Sequence, residues 1–265
     1  MTMQSTPVAL ITGASSGIGA AIARRLAREG RALALVGRDP TRLAAVAENC
    51  RTLGAREVRV ALADIRDRAA FAVAAAEIEG TAPIHLFVAC AGILEGRRRG
   101  EVVEDAAVAH RVIDTNLLAT IDAVHAVLPG LRARRSGEIV LVASLAALAP
   151  LPDAPAYSAS KAGLLSYGLG LRDALATEGI RVVVACPGYV TSPMTARHCG
   201  PHPGEIDADT AADRILDGLA RNRALNAFPV VTGWLSRLSL LVPEFLRRRA
   251  MRELRFHVGD APGSH

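Results

Sequence analysis

The sequence is poor in aromatic residues and contains a single lysine. Aromatic residues make up 3% of the 265 residues and hydrophobic residues 51%, so Ala, Val, Leu and Ile must supply most of the core. A core of this kind is typical of parallel strands covered by closely packed helices. Of the 31 basic side chains, only Lys161 is not an arginine. Since arginine meets the need for surface charge, the one lysine indicates a chemical role.

Several classes of protein are disfavoured by what the sequence does not contain. The four cysteines form no CxxC pair and have no histidine at metal-ligand spacing, so we expect reduced thiols and no metal site. No run of 18 apolar residues and no signal-like leader occur, so we expect no transmembrane segment and a cytoplasmic protein. The net charge is +5, but the arginines are spread over the whole length, so we expect no nucleic-acid partner.

Short apolar runs alternate with longer stretches rich in Ala and Arg over most of the chain. This alternation predicts the α/β class: a Rossmann-type, doubly wound parallel sheet of seven strands with helices on both faces, in one domain covering residues 1–265. One long helix is predicted over 104–131 and the last strand over 226–231. Two segments interrupt the pattern, and there we expect a substrate loop at about 188–207 and a C-terminal cap at about 233–256.

A glycine-rich turn, TGASSGIG, joins the first strand to the first helix. Glycines let the backbone approach a pyrophosphate closely, and a helix N-terminus offers unpaired N–H groups to it. The same letters also occur in ordinary tight turns, but the position between strand and helix favours a dinucleotide site. The residues predicted to hold the cofactor there are Gly13, Ser15, Ser16, Gly17, Ile18 and Gly19.

Arg38 ends the second strand, where dinucleotide-binding folds discriminate the adenosine ribose. An arginine at this place pairs with a 2′-phosphate, so NADP is favoured over NAD. Asp39 could restore affinity for NAD, and Arg42 could add a second cation. A plain surface arginine at a strand end is the alternative.

Two further strand ends are placed to meet the cofactor. Asp64 follows the third strand and would reach the adenine edge, or else it is a helix cap or a turn residue. Ala91 and Gly92 follow the fourth strand, where small residues would leave room beside the cofactor.

Ser144 ends the fifth strand and Tyr157 opens the next helix, so both side chains are expected at the carboxyl edge of the sheet. Lys161 lies four residues after Tyr157, and positions four apart share one face of a helix. A free tyrosine has a pKa of about 10, which a nearby cation lowers by favouring the phenolate. The three residues together predict an acid–base centre. Taken singly, the serine could be a helix cap and the tyrosine a half-buried packing residue.

These motifs together resemble the short-chain dehydrogenase/reductase family, in its compact one-domain type, over at least residues 7–232. The matching features are TGASSGIG, Asp64, Ala91 with Gly92, Asn116 in DTN, Ser144, YSASK and PGYVTSP at residues 187–193. The resemblance implies a nicotinamide-dependent enzyme that interconverts a ketone and a secondary alcohol, and Arg38 makes NADP the favoured cofactor.

The resemblance also implies a role for each matching residue. Tyr157 would exchange a proton with the substrate oxygen, and Ser144 would stabilise that oxygen. Lys161 would lower the pKa of Tyr157 and hold the nicotinamide ribose, and Asn116 would fix a water that links Lys161 to solvent. Without the resemblance, Asn116 reads as a polar residue on an exposed helix face. The residues implied beside the nicotinamide carboxamide are Pro187, Gly188, Val190 and Thr191.

One departure from the family pattern concerns the end of the fourth strand. Ala89 and Cys90 stand where the family usually has two asparagines. The hydrogen bonds that normally tie this strand end to its neighbours must therefore be absent or replaced.

The apolar residues around the predicted site favour a medium or large apolar substrate, such as a 3-oxoacyl chain or a ring ketone. Small residues along the helix that carries Tyr157, together with the assembly usual in the family, imply a homodimer or a homotetramer. Two alternatives stay open at this point: an NAD-preferring alcohol dehydrogenase, and a regulatory protein that binds the dinucleotide without chemistry.

Overall fold

The computed structural model describes residues 6–230, 232–233, 242–245, 249 and 255–259. The strands are β1 (Val8–Thr12), β2 (Ala32–Gly37), β3 (Glu57–Leu62), β4 (Ile84–Ala89), β5 (Gly137–Val142), β6 (Ile180–Pro187), β7 (His198–Cys199), β8 (Leu225–Phe228) and β9 (His257–Val258). The helices are α1 (Gly17–Arg28), α2 (Pro40–Thr52), α3 (Arg68–Thr81), α4 (Ala106–Ile113), α5 (Ala119–Arg134), α6 (Pro155–Ala174) and α7 (Ala208–Ala220).

Seven strands form one parallel sheet in the order β3-β2-β1-β4-β5-β6-β8. The predicted doubly wound, Rossmann-type sheet is thus confirmed. β1 lies between β2 and β4, so the strand order reverses at this point. The loops that follow β1 and β4 leave in opposite directions, and a ligand crevice is expected between them at the carboxyl edge.

Each face of the sheet is covered by its own layer of helices. Ile22 of α1, Leu43 of α2 and Ile215 of α7 belong to the apolar cluster on one face. Phe71 of α3 and Leu164 of α6 belong to the cluster on the other face. The central strands are buried on both sides, which explains why they read as continuous apolar runs rather than as alternating ones.

The helix predicted over residues 104–131 is divided in the structure. A π-helical turn at Asp114–Leu118 separates α4 from α5. Such π-turns occur frequently at functional sites. By length and composition alone, the helical run Ala106–Arg134 could cross a membrane, but α5 packs against β4 and α3 as a helix of a layered fold does.

Two short strands were not anticipated from the sequence. β7 lies in the predicted substrate loop and pairs antiparallel with β9 near the C-terminus, where His198 faces Val258. The loop is therefore fastened to a C-terminal segment. Most of the predicted cap at 233–256 lies outside the described residues. The last strand of the large sheet ends at Phe228, before the predicted limit of 231.

Candidate active site

The glycine-rich turn passes so close to its neighbours that side chains would not fit. Gly13 has a φ of +66°, and a Cβ on it would lie 2.8 Å from the backbone of Ala91. A Cβ on Gly19 would lie 2.4 Å from the carbonyl oxygen of Gly13. The turn therefore packs directly against the segment after β4, and this close approach requires glycine at both positions.

The N-terminus of α1 follows this turn. Within the described part of the chain, Ser16 is the N-cap, its hydroxyl does not cap the helix, and the first turn holds no acidic side chain. Gly17 begins the helix with a φ of +54°. The first N–H groups of α1 are therefore available for an anion, and the cradle fits the pyrophosphate of a dinucleotide.

Arg38 lies at the carboxyl end of β2, beside the glycine-rich turn. The end of this strand touches Ser15, since a Cβ on Gly37 would lie 3.4 Å from the Cβ of Ser15. The Arg38 side chain is 59% exposed, and its guanidinium lies 3.5 Å from Asp64. This loose pairing leaves the guanidinium available to a phosphate.

Asp39 and Arg42 form an ion pair with each other. The Asp39 carboxylate caps α2 by accepting a hydrogen bond from the Arg42 N–H, and it pairs with the Arg42 guanidinium at 2.7 Å. The backbone hydrogen bond from Arg42 lowers the pKa of Asp39. Of these three residues, Arg38 has the longer and weaker ion pair, so its guanidinium is the group that can bind a ligand phosphate.

Asp64 stands at the end of β3 and is held by Arg66. Its carboxylate accepts hydrogen bonds from the Arg66 guanidinium at 2.7 Å and from the Arg66 N–H at 2.9 Å. The side-chain hydrogen bond to Arg66 lowers the pKa of Asp64 to about 2. Asp64 is therefore a turn residue, which is one of the two alternatives to an adenine contact given by the sequence. Its contact with adenine stays a prediction.

Thr12 makes hydrogen bonds to the end of β4, where the family's two asparagines are absent. Its hydroxyl oxygen accepts hydrogen bonds from the N–H groups of Cys90 and Ala91, at 3.1 and 3.2 Å. Burial raises the pKa of the Cys90 thiol to about 11, so this side chain stays neutral. The strand end is consequently fastened to β1 rather than left loose. Sequence reasoning missed Thr12, because a threonine at the end of a buried strand carries no distinctive signal.

Asn116 occupies the π-turn and is fully buried, so the reading as an exposed polar residue is wrong. Its amide accepts a hydrogen bond from the Ile93 N–H at 2.8 Å and donates to the Ile93 carbonyl at 2.9 Å. It also donates to Ser160 at 3.2 Å. A Cβ on Gly92 would lie 3.1 Å from the Asn116 amide oxygen and 3.5 Å from the Lys161 ammonium nitrogen. Asn116 and Lys161 thus meet at Gly92.

Lys161 is buried at 6% exposure on α6. Its ammonium donates a hydrogen bond to the Val142 carbonyl at 3.0 Å, at the end of β5. Burial lowers the pKa of Lys161 to about 8, because an apolar surrounding disfavours the charged form. The ammonium nitrogen lies 5.8 Å from the centroid of the Tyr157 ring.

Tyr157 and Ser144 meet at the same edge of the sheet. Burial raises the pKa of Tyr157 above its ordinary value, and a hydrogen bond with Ser144 opposes this effect. In this structure burial has the larger effect on this pKa and the Lys161 ammonium donates to the Val142 carbonyl, so the lowering of the Tyr157 pKa by Lys161 stays a prediction. Ser144 also caps a short 3-10 turn by accepting the Ala146 N–H at 3.2 Å.

The segment after β6 brings its predicted residues to this edge as well. Pro187 ends β6, and the Gly188 N–H donates to the Phe228 carbonyl at 2.8 Å. Val190 is buried, and the Thr191 hydroxyl donates to Glu205 at 3.0 Å. Residues predicted for the cofactor and for the reaction therefore follow the carboxyl ends of β1, β4, β5 and β6, at one edge of the sheet.

Comparisons with known proteins agree with this fold. Residues 7–199 match the family model described as short chain dehydrogenase. An uncharacterized oxidoreductase of Mycobacterium tuberculosis is 36% identical over 250 residues, which are 91% of this chain and 95% of the relative.

Two solved structures are similar over most of their length. A short-chain dehydrogenase from Sphingobium yanoikuyae in complex with NADPH is 29% identical, with a TM-score of 0.78 and coverage of 94% of this chain and 96% of that one. A variant of the actinorhodin polyketide ketoreductase with NADPH is 28% identical, with a TM-score of 0.77 and coverage of 88% and 99%. The chain belongs to the short-chain dehydrogenase/reductase family and is an NAD(P)-dependent oxidoreductase.

Proposed function

We propose that the protein is an NADP(H)-dependent reductase that interconverts an apolar ketone and its secondary alcohol. The observation that carries this proposal is the convergence of Ser144, Tyr157, Lys161 and Asn116 beside the glycine-rich cradle. These four residues come from three separate segments, the end of β5, the π-turn and α6, and they meet at one edge of the sheet.

In this proposal Tyr157 is the general acid of ketone reduction. Its raised pKa keeps the phenol protonated at neutral pH, so it holds a proton ready for the substrate oxygen. The Ser144 hydroxyl donates to the same oxygen and stabilises the negative charge that develops there. The bound nicotinamide supplies the hydride to the carbonyl carbon.

Lys161 and Asn116 would support the transfer. At neutral pH the Lys161 ammonium is charged, since its pKa of about 8 is still above that pH. A charged Lys161 favours the phenolate that Tyr157 becomes after it gives up its proton, and it can donate to ribose hydroxyls. We propose that Asn116, whose amide fixes the Ile93 backbone next to Gly92, holds a water that returns a proton to Lys161.

The preference for NADP rests on Arg38. Its guanidinium is exposed beside the turn, while Asp39, the residue that could favour NAD, is paired with Arg42. The two similar solved structures described above carry NADPH, which supports the same choice. An NAD-preferring enzyme is the alternative.

The substrate is proposed to be apolar, such as a 3-oxoacyl chain or a ring ketone. Tyr157 packs in a cluster with the apolar residues Leu94, Leu151 and Phe256, which would form the wall of the site. A similar protein is a polyketide ketoreductase, which fits a substrate of this kind. We propose that one domain holds the whole site, with a substrate loop at 188–207 and a C-terminal cap at 233–256, and that the protein assembles as a homodimer or homotetramer.

A ketone panel tests the proposed function. Purified protein is mixed with NADPH or NADH and with aliphatic, cyclic and 3-oxoacyl ketones, and absorbance of the reduced nicotinamide is followed. We expect consumption of NADPH with the apolar ketones and at least a tenfold lower kcat/KM with NADH. Consumption of NADH in preference would establish the NAD-dependent alternative. Tight NADPH binding without consumption for any ketone would establish a regulatory protein instead.

A further inference from the structure

Glu104 is a buried acidic residue that has no part in the reaction described above. It lies between β4 and α4, directly before Asp105, the N-cap of α4, and it is 8% exposed. One of its carboxylate oxygens accepts a hydrogen bond from the Ala156 N–H at 2.7 Å. The other oxygen is buried and has no hydrogen-bond partner among the described residues. Glu104 therefore joins the start of α4 to the start of α6, one residue before Tyr157.

The first turn of α6 has no cap from its own segment. Its N-cap is Ala154, whose side chain cannot accept a hydrogen bond, and Pro155 at the first helical position has no N–H. The first backbone donor of the helix is therefore the Ala156 N–H, which Glu104 satisfies from a separate segment. A carboxylate at this end also interacts favourably with the helix dipole. Glu104 thus does for α6 what a Ser, Thr or Asp does at an ordinary N-cap.

Both partners of this hydrogen bond are held in place by their own neighbours. Asp105 caps α4 by accepting the Val108 N–H at 2.9 Å, and α4 packs against α6. Before α6, the Ser158 hydroxyl donates to the Ala154 carbonyl at 3.2 Å and accepts from the Leu151 N–H at 2.9 Å. The capping bond therefore links two fixed elements, so the start of α4 sets where α6 begins.

The place of this bond matters because Tyr157 follows Ala156 directly. A shift of the first turn of α6 moves the phenol, and a misplacement of about 1 Å can slow a reaction about 100-fold. Stability alone does not explain a glutamate at this position. A buried carboxylate oxygen without a partner costs free energy, which offsets the gain from the capping bond. The position of the phenol is the property that Glu104 secures.

We propose that Glu104 is a positioning residue for the reduction. It fixes the first turn of α6 through the Ala156 N–H and so holds the Tyr157 phenol beside Ser144. This inference rests on the proposed ketone reduction, in which Tyr157 is the general acid. Glu104 acts through the backbone of α6 and takes no part in the proton transfer itself.

Two substitutions at residue 104 separate the hydrogen bond from the volume that the side chain fills. Glu104→Met keeps the length of the side chain but offers only a weak acceptor, whereas Glu104→Gln keeps an oxygen for the Ala156 N–H. Asp67→Ala is the matched control, because it removes the N-cap of α3, a helix that carries none of the predicted site residues. Each variant is assayed with NADPH and a ketone that the wild type reduces, and NADPH binding is titrated by fluorescence.

We expect Glu104→Met to lower kcat at least tenfold, with Kd for NADPH within about threefold of the wild type and the same number of binding sites per chain. Glu104→Gln and Asp67→Ala should keep kcat within about threefold of the wild type. A smaller loss in Glu104→Met, or an equal loss in either of the other two variants, would overturn the positioning role. If Glu104→Met does not fold, Glu104→Asp takes its place with the same expected loss, since its shorter side chain withdraws the acceptor.

Amide hydrogen exchange tests the inference without any turnover. In Glu104→Met, the peptide that contains Ala156 and Tyr157 should exchange at least tenfold faster than in the wild type, while peptides from the second half of α6 are unchanged. Glu104→Gln should exchange as the wild type does. If the wild type reduces no ketone, the proposed function fails, and the exchange still decides whether Glu104 fixes the start of α6. Equal exchange in all three proteins would overturn the inference.

Discussion

Replacing the buried Lys161 with methionine should remove a rise in the free energy of unfolding that the wild type shows at alkaline pH. The reason is that a charge in an apolar site costs stability, and the wild-type lysine loses this charge as the pH rises. The pKa of Lys161 is lowered from 10.5 to about 8 in the folded protein. Below pH 8 both folded and unfolded chains hold the proton, and the folded chain bears the full penalty. Between pH 8 and 10.5 the unfolded chain binds more protons, so the free energy of unfolding of the wild type rises with pH. The total rise is on the order of 3 kcal/mol, at about 1.4 kcal/mol per pH unit.

The assay is urea unfolding of wild type and Lys161→Met at pH 7.0, 8.0, 9.0 and 9.5. Tyrosines and cysteines far from residue 161 ionise alike in both proteins, so the difference between the two curves reports on Lys161 and on its neighbours Tyr157 and Cys90. At pH 7 the variant should be about 2 kcal/mol more stable, since it loses the burial penalty but also the hydrogen bond to the Val142 carbonyl. By pH 9.5 the wild type should have regained about 2 kcal/mol relative to the variant. Parallel curves over the whole range would refute the buried ammonium.

Three further substitutions test separate parts of the structure. Arg38→Ala should raise KM for NADPH about tenfold and leave KM for NADH unchanged, in contrast to Arg31→Ala before the same strand; equal changes for both cofactors would refute a 2′-phosphate contact. Thr12→Val should lower the free energy of unfolding by about 2 kcal/mol in urea titrations, because two backbone N–H groups lose their acceptor. Asp153→Asn removes a fully buried charge that pairs with two arginines, and it should cost about 3 kcal/mol by the same assay, whereas Glu178→Gln in an exposed pair should leave the free energy of unfolding close to that of the wild type.

The sheet could be predicted because its strands are buried on both faces. All five residues of β1 and all six of β2 are buried, so hydrophobicity alone marks them, and the intervening helices fix the parallel order. The pairing of β7 with β9 could not be predicted in this way. Each has two residues, which is too short for a pattern, and they meet from distant parts of the chain.

The site residues could be placed by strand ends and by helix spacing, but their electrostatics could not. Spacing put Tyr157 and Lys161 on one face of α6, and the structure does bring them within 5.8 Å. The direction of the Tyr157 pKa depends on how deeply the phenol is buried, and the reach of Lys161 depends on the free carbonyl of Val142. Neither quantity is visible in the order of the residues.

Side-chain partners from distant segments were also beyond reach of sequence reasoning. Thr12 can accept hydrogen bonds from the backbone at the end of β4, in place of the absent asparagines, only because β1 and β4 are neighbours in the sheet. Tyr189 reads as one apolar residue of a loop until the structure shows His198 and His202 packed around it. Such contacts become visible only when the chain is folded.

The most direct test of the central claim compares the phenols on α6. NADPH binding, by fluorescence titration, and NADPH consumption with an apolar ketone are measured for wild type, Tyr157→Phe and Tyr167→Phe. The account predicts that Tyr157→Phe binds NADPH within about threefold of the wild type but loses at least 100-fold in kcat, while Tyr167→Phe behaves as the wild type does. Equal turnover in Tyr157→Phe and the wild type would contradict it.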